Sequence, residues 1–159
     1  MEEKNGFTFI ELAVAMTIMA ILTAVFMPAA LQWRTNQQLS QAARQVYADL
    51  QSARMQAVKH NRFAFVSFNV GAGTYVAWRD QGDNNGTLEA TDAIILRNQM
   101  PPGVKITSVS FSGSNIISFS PMGLSRGLKG GLKFGRVIVA NSARSSDVVV
   151  NINGTIRIE

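Results

Sequence analysis

The stretch GFTFIELAVAMTIMAILTAVFMP, residues 6–28, decides the organisation of this chain. It is apolar enough to lie in a membrane, yet it carries one carboxylate near its start. The apolar run continues to Leu31, and its polar side chains after Gly6 are Thr8, Glu11, Thr17 and Thr23. That length exceeds the roughly 20 residues that a helix needs to cross a bilayer. Because a carboxylate in hydrocarbon costs about 2.5–3.5 kcal/mol on insertion scales, Glu11 indicates a function or a partner.

A secretory signal peptide does not describe this N-terminus. Such a signal has a basic leader, an apolar core of about 7–15 residues and a small-residue cleavage site after the core. Here the leader, residues 1–6, carries Glu2, Glu3 and Lys4, and the apolar run is longer. Two interpretations remain: a plain membrane span whose Glu11 snorkels into the lipid headgroups, and a span whose Glu11 meets a partner.

The pattern resembles the N-terminus of type IV pilins and type II secretion pseudopilins. In that family a short leader ends in Gly, and the mature chain begins with Phe, often Thr, and a Glu four residues after the Phe. The matching residues are Gly6, Phe7, Thr8 and Glu11, and Pro28 falls where many pilins have a helix-kinking proline. The resemblance implies cleavage between Gly6 and Phe7 by prepilin peptidase, with N-methylation of Phe7. It also implies that Glu11 pairs with the charged amino terminus of a neighbouring subunit, so that neither charge is buried alone.

The helix is predicted to continue beyond the apolar run. Pro28 lacks a backbone donor and should bend the helix. An apolar stripe then recurs at spacings of four and three, at Leu39, Ala43, Val46, Leu50, Ala53 and Ala57. Basic residues, Lys59 and His60, suit the negative end of a helix. We therefore predict one helix with a transmembrane or filament-core half, residues 7–31, and an amphipathic half, residues 32–60.

From Arg62 the hydrophobic period changes to two, with turn residues every eight to twelve positions. The predicted strands are Phe63–Phe68, Thr74–Arg79, Ala93–Asn98, Val104–Phe111, Ile116–Ser120, Leu132–Ala140, Asp147–Asn151 and Thr155–Ile158. The glycine-rich stretch Ser125–Gly131 is predicted to be a mobile loop. The fold class is therefore α+β, with the long helix, kinked near Pro28, packed on an antiparallel β-sandwich-like head at residues 61–159.

The C-terminal segments FSPMGLSRG, KFGRVIVAN and NGTIRI resemble those of GspH/FimT-type minor pilins. Members of that branch have an N-terminal helix against a β-sandwich head. Some FimT-like members are DNA receptors in natural transformation and use a Gly-Arg-x-Arg motif near the C-terminus. The matching residues here are Gly154, Thr155, Ile156 and Arg157, so a threonine stands at the first arginine of the motif.

The residue types that most catalytic sites need are scarce. The chain has no cysteine, which excludes disulfides, thiolate metal sites and cysteine nucleophiles. Its single histidine, His60, suits a helix end better than an active site. Phosphate-binding GxxxxGK[ST] and GxGxxG patterns are absent from the sequence. The sequence therefore predicts that the protein is not an enzyme.

One segment, QGDNNGTLEATD at residues 81–92, has two interpretations. With Gly86 at the sharp turn of a calcium loop, the ligand positions would fall on Asp83, Asn85, Glu89 and Asp92. However, the first ligand position holds Gln81 instead of Asp, and both flanks have strand character. The alternative is a polar hairpin loop rich in turn-forming residues. Calcium is the only cofactor that the sequence suggests.

The net charge of the chain is +5, and the cations concentrate in its C-terminal third. They are Arg126, Lys129, Lys133, Arg136, Arg144 and Arg157, and only Asp147 and Glu159 oppose them. Such a set would bind DNA in a salt-dependent way. The alternative is a solvated basic face, or a contact surface for a neighbouring subunit.

These patterns predict a minor type IV pilin or type II secretion pseudopilin, built into a pilus or pseudopilus after prepilin peptidase processing. Its partners would be other pilin or pseudopilin subunits, prepilin peptidase and, before assembly, the bacterial inner membrane with the head in the periplasm. The mature subunit would then lie in a periplasmic pseudopilus or a surface pilus. The alternative function is a pilus-displayed, FimT-like DNA-binding subunit for DNA uptake, with Arg157 among its contacts.

Overall fold

The first element of the fold is a helix that contains a proline and does not end there. The computed structural model describes residues 8–82, 84–111, 113–127 and 131–159. Helix α1 is Phe9–His60, 52 residues, and Pro28 lies inside it. Its C-terminal end matches the prediction, whereas Phe7, the predicted start, lies outside the described residues. The bend at Pro28 stays a prediction.

Among the described residues, nine strands follow the helix. They are β1 Ala64–Asn69, β2 Thr74–Arg79, β3 Ala93–Gln99, β4 Lys105–Ser110, β5 Ile116–Phe119, β6 Ser125–Arg126, β7 Gly135–Ala140, β8 Ser145–Val150 and β9 Ile156–Ile158. All pairs are antiparallel, and they form a five-stranded sheet, β3-β2-β1-β5-β6, and a four-stranded sheet, β4-β7-β8-β9. The predicted fold class, a long helix with antiparallel sheets, is confirmed.

One loop prediction and one strand prediction near the glycine-rich stretch were wrong. Ser125 and Arg126 form β6, because they pair with Phe119 and Ser118 of β5, and so the predicted mobile loop begins as a strand. The segment Leu132–Phe134 is outside β7, which begins only at Gly135. A Cβ at Gly135 would overlap the ring of Phe111, so the strand passes close to that buried ring.

The chain divides into two compact units, Met1–Thr35 and Asn36–Glu159. In the second unit, one core joins the helix to both sheets. It contains Val46 and Leu50 of α1, Val66 of β1, Ile117 of β5, and Val137 and Val148 of the four-stranded sheet. Each of these side chains is at most 1% exposed. The amphipathic half of the helix therefore supplies one wall of the core of the head.

The helix residues of the first unit are exposed instead. Ala13 is half-buried, and every other described residue from Thr8 to Arg34 is exposed. This part of α1 contains an 18-residue window with a mean hydropathy of 2.3, long and apolar enough to cross a membrane. Its apolar side chains are therefore left for a membrane or for other chains to cover.

Candidate functional site

The first candidate site is the start of the helix, where Thr8 and Glu11 form a capping box. The Glu11 carboxylate accepts hydrogen bonds from the Thr8 backbone N–H at 2.9 Å and from the Thr8 hydroxyl at 3.1 Å. In return, the Glu11 N–H donates to Thr8 Oγ1 at 3.3 Å. The sequence signal was the T-x-x-E spacing, which satisfies two helix N–H groups at once. Glu11 therefore has a local partner in the single subunit, a role that our sequence analysis missed.

The predicted processing residues, Gly6 and Phe7, lie outside the described residues.

Farther along the same helix, a shallow cavity of about 620 Å³ lies beside Pro28. It is lined by Ala20, Thr23, Ala24, Met27, Pro28 and Leu31. The small side chains among them, Ala20, Thr23 and Ala24, allow another helix to approach closely. This part of the helix can therefore accept an apolar neighbour.

The loop between β2 and β3 is the hairpin loop of the second interpretation, because its two flanking strands pair antiparallel. The Asp92 carboxylate accepts the backbone N–H groups of Gln81, at 3.1 Å, and Glu89, at 2.9 Å. Asn85 Nδ2 donates to Glu89 Oε1 at 2.9 Å. Asp83 lies outside the described residues. Asp92 and Glu89 thus satisfy donors of the loop itself.

Within the part of the chain that the structure describes, no group of three or more His, Cys, Asp or Glu side chains is placed to hold a metal ion. The calcium site at Asp83, Asn85, Glu89 and Asp92 therefore gains no support from the described residues. It stays a prediction.

The structure distributes the predicted cations over three places. Arg136 and Arg157 lie on the outer face of the four-stranded sheet, Arg144 lies in the turn between β7 and β8, and Arg126 and Lys133 lie at the β6 edge of the five-stranded sheet. Lys129 is outside the described residues. A common basic face for all of them stays a prediction.

The outer face of the four-stranded sheet carries both signs of charge. Arg136, Val149 and Arg157 lie opposite one another on β7, β8 and β9. Asp147 lies one row away and forms an ion pair with Arg136 at 3.2 Å. Glu159 exchanges two backbone hydrogen bonds with Asp147, which places it in the same row. Asp147 and Glu159, the two acids of the C-terminal third, therefore lie beside two of its basic residues, Arg136 and Arg157.

Two glycine turns, one from each sheet, meet against the helix. Gly123 lies in the turn after β5, with φ +74°, and Gly154 lies in the turn between β8 and β9, with φ +76°. Arg54 Nε of α1 donates to Gly123 O at 2.9 Å. A Cβ at Gly154 would overlap Gly123 O. We call Arg54, Gly123 and Gly154 the glycine clasp. It brings the turns of the segments FSPMGLSRG and NGTIRI into contact.

A second buried polar group joins the helix to the five-stranded sheet. Asp49, 7% exposed, accepts hydrogen bonds from the Tyr75 hydroxyl at 2.5 Å, Asn98 Nδ2 at 2.7 Å and Gln45 Nε2 at 3.0 Å. Burial, followed by the hydrogen bond to Asp49, raises the pKa of Tyr75 far above its usual range.

Comparison with known families decides among the sequence interpretations. The family model of the type II transport protein GspH matches residues 42–154, more than half of the chain. The chain belongs to the GspH family. The model of the prokaryotic N-terminal methylation motif matches residues 3–27, so the GspH-type head follows a pilin-type N-terminus. No curated protein matches the chain in sequence.

Solved structures of two other proteins have a similar fold. The minor pilin FimU of Pseudomonas aeruginosa is similar with a TM-score of 0.60 and 14% identity, over 78% of this chain and 90% of that one. The minor pseudopilin EpsH of the Vibrio cholerae type 2 secretion system has a TM-score of 0.58 and 11% identity, over 76% and 94% of the two chains. At such identities the likeness establishes the fold alone.

The chain is therefore a member of the minor pilin and pseudopilin class, as both resemblances predicted. Members of this class are structural subunits that assemble with other pilin or pseudopilin subunits. The apolar helix and the methylation motif fit membrane anchoring followed by periplasmic or surface assembly. Neither the family match nor the divided cations favours the DNA-binding alternative over this structural role.

Proposed function

We propose that the protein is a non-enzymatic structural subunit that leaves the inner membrane to enter a pilus or pseudopilus. The observation that carries this proposal is the contrast within α1 between an exposed apolar stretch and a stretch buried in the head. A membrane covers the first stretch before assembly, and helices of neighbouring subunits cover it afterwards. Because lipid and packed helices are both apolar, the transfer carries little hydrophobic cost.

Processing by prepilin peptidase between Gly6 and Phe7 prepares the subunit for this transfer. Cleavage removes the charged leader, residues 1–6, and leaves the amino group of Phe7, which is then N-methylated. The match to the N-terminal methylation motif over residues 3–27 supports this step. Intact-mass measurement on chain extracted from membranes tests it. Loss of residues 1–6 with the gain of one methyl group is expected, and a full-length mass would contradict the proposal.

The capping box gives Glu11 two successive partners. In the single subunit, Thr8 donates two hydrogen bonds to the Glu11 carboxylate. In the filament, the carboxylate would face the ammonium group of a neighbour's Phe7, an attraction that low dielectric strengthens. Since each charge would be costly to bury alone, the pair would fix the register of adjacent helices.

Glu11→Ala and Thr8→Ala separate the two roles. Glu11→Ala removes both partners' contacts and should abolish recovery of the chain in purified filaments, while the thermal unfolding of the head stays unchanged. Thr8→Ala removes only the hydroxyl hydrogen bonds of the local cap, which are worth about 1 kcal/mol, and should leave assembly largely intact. Normal filament incorporation of Glu11→Ala would contradict the proposed assembly mechanism.

A further inference from the structure

Two of the exposed apolar residues of the head, Phe134 and Ile152, line one shallow cavity. It has a volume of about 550 Å³ and is lined by Leu124, Phe134, Asn151, Ile152 and Asn153. Phe134 is 70% exposed and Ile152 is 44% exposed. Met122, 81% exposed, precedes the clasp residue Gly123. Contiguous apolar surface of this kind on a folded domain marks an interaction site more often than chance exposure.

The cavity is held in shape by hydrogen bonds beneath it. The N–H of buried Ser125 donates to Ile152 O at 3.1 Å, and the Lys133 N–H donates to Ser125 O at 3.2 Å. Phe134 follows Lys133 and Leu124 precedes Ser125, so these hydrogen bonds fix the two residues on either side of the cavity. A site whose backbone is already ordered binds a partner without an additional ordering cost.

The surroundings of the cavity are cationic. Residues 113–136 contain no Asp or Glu, and neither do residues 148–158. Lys133 adjoins Phe134, and Arg126 lies on β6 beside it. An apolar cavity with a positive rim is complementary to a protruding apolar side chain flanked by carboxylates. An exposed aromatic next to a cavity is also a typical energetic anchor of a protein interface.

We propose that this surface, which we call the Phe134 surface, docks an acidic segment with a protruding apolar side chain from the head of a neighbouring filament subunit. This inference rests on the proposed function, because it assumes that the head has such a neighbour. A protein segment fits better than nucleic acid, because Phe134 is the only aromatic among the described residues that line this cavity, and stacking of several bases needs several rings. The concave shape suits a side chain better than a flat lipid surface.

Charge substitution at the exposed ring tests the proposal in the full chain. Phe134→Asp places a carboxylate where the partner presents its own, and it should lower recovery of the subunit in purified filaments at least tenfold. Ile94→Asp is the matched control, because Ile94 is a 49% exposed apolar residue on β3, the opposite edge of the five-stranded sheet. It should leave recovery unchanged. Equal recovery of the two variants would overturn the proposal.

The rim is tested separately. Lys133→Glu reverses the charge and should lower recovery of the subunit in purified filaments several-fold. Lys133→Arg keeps the positive charge and should be recovered like the unmodified chain. If Lys133→Glu is recovered like the unmodified chain, the acidic character of the partner is wrong. Thermal unfolding of each variant in detergent should match that of the parent chain, because both side chains are exposed.

Crosslinking identifies what occupies the surface. The chain has no cysteine, so Phe134→Cys provides a single attachment point for a photoreactive probe in assembled filaments. A crosslink to an acidic peptide of a pilin or pseudopilin subunit, another copy of this chain included, supports the proposal. A crosslink to lipid, to nucleic acid or to a basic peptide, or no crosslink at all, overturns it.

These results separate the docking surface from the assembly mechanism. If Glu11→Ala is excluded from filaments while Phe134→Asp enters them, the docking inference fails and the proposed function stands. If Glu11→Ala enters filaments normally, the assembly mechanism fails, whatever Phe134→Asp does.

Discussion

The two stretches of helix α1 have the same secondary structure and opposite surroundings. From Thr8 to Arg34 nearly every described side chain is exposed, and the large apolar ones point in all directions around the helix. From Leu39 to Ala57 one stripe is buried, and it is rich in alanine. The small side chains let the sheets approach the helix axis. The large side chains of the first stretch are left for a membrane or for other chains to cover. The two stretches of the helix therefore have different surroundings. A membrane or filament covers the first stretch, and the core of the head covers the second.

The largest effect expected from this comparison is at Leu50. Leu50→Ala removes a 1% exposed side chain from the shared core and should lower the free energy of unfolding by about 4 kcal/mol. Leu22→Ala is the matched change in the first stretch, where Leu22 is 47% exposed, and should change it by less than about 0.5 kcal/mol. Urea unfolding of the detergent-solubilised chain measures both. Similar losses would break the comparison.

The glycine clasp sharpens the account of the buried stretch. Gly154→Ala would need φ +76° and would place a Cβ 2.8 Å from Arg54 Nε and in overlap with Gly123 O. Backbone strain and overpacking together should cost about 3 kcal/mol. Gly103→Ala is the control: φ is +84° but nothing lies within 4 Å, so strain alone should cost about 1–2 kcal/mol. Equal melting temperatures for the two variants would mean that the close contact of the two turns contributes nothing.

The Asp49 group makes a smaller, pH-dependent contribution to the same stretch. Tyr75→Phe removes one of the donors to Asp49 and should cost about 1–2 kcal/mol at neutral pH. Because burial and the Asp49 hydrogen bond raise the Tyr75 pKa, the neutral phenol stabilises the fold fully below the ordinary tyrosine pKa of about 10. Above that pH the unfolded chain ionises first, and the advantage of the parent chain over Tyr75→Phe should shrink. Unfolding at pH 8 and at higher pH tests this, and a constant difference would contradict it.

Local patterns predicted most of the elements in these two stretches and in the head. Alternation gave β2 with the same bounds, Thr74–Arg79, and the stripe through Val46 and Leu50 identified the buried face. The prepilin motif, together with the C-terminal motifs, led to the family that the comparisons establish. These features depend on near neighbours along the chain, which is why they are visible in the sequence.

Features that need distant residues were missed. Ser125–Arg126 is a strand only because β5 offers a partner edge, and a glycine-rich segment gives no sign of that. Asp49 accepts hydrogen bonds from Tyr75 and Asn98, and neither residue is near it in the sequence. The contact of Gly123 with Gly154 joins turns of separate sheets, so no spacing rule could indicate it.

The smallest effect is expected at the charged outer face of the four-stranded sheet. Arg136 is 53% exposed in its side chain and pairs with Asp147, so Arg136→Ala should change the free energy of unfolding by less than about 1 kcal/mol. Arg157→Ala should change it even less.

Since Asp147 and Glu159 share this face with the two arginines, its local charge is close to balanced, and we expect no Arg157-dependent DNA binding at about 0.15 M salt. A mobility-shift titration at several salt concentrations checks this. Salt-dependent DNA binding that Arg157→Ala weakens would contradict this expectation. It would support the DNA-uptake alternative, in which the head and not the helix carries out the function.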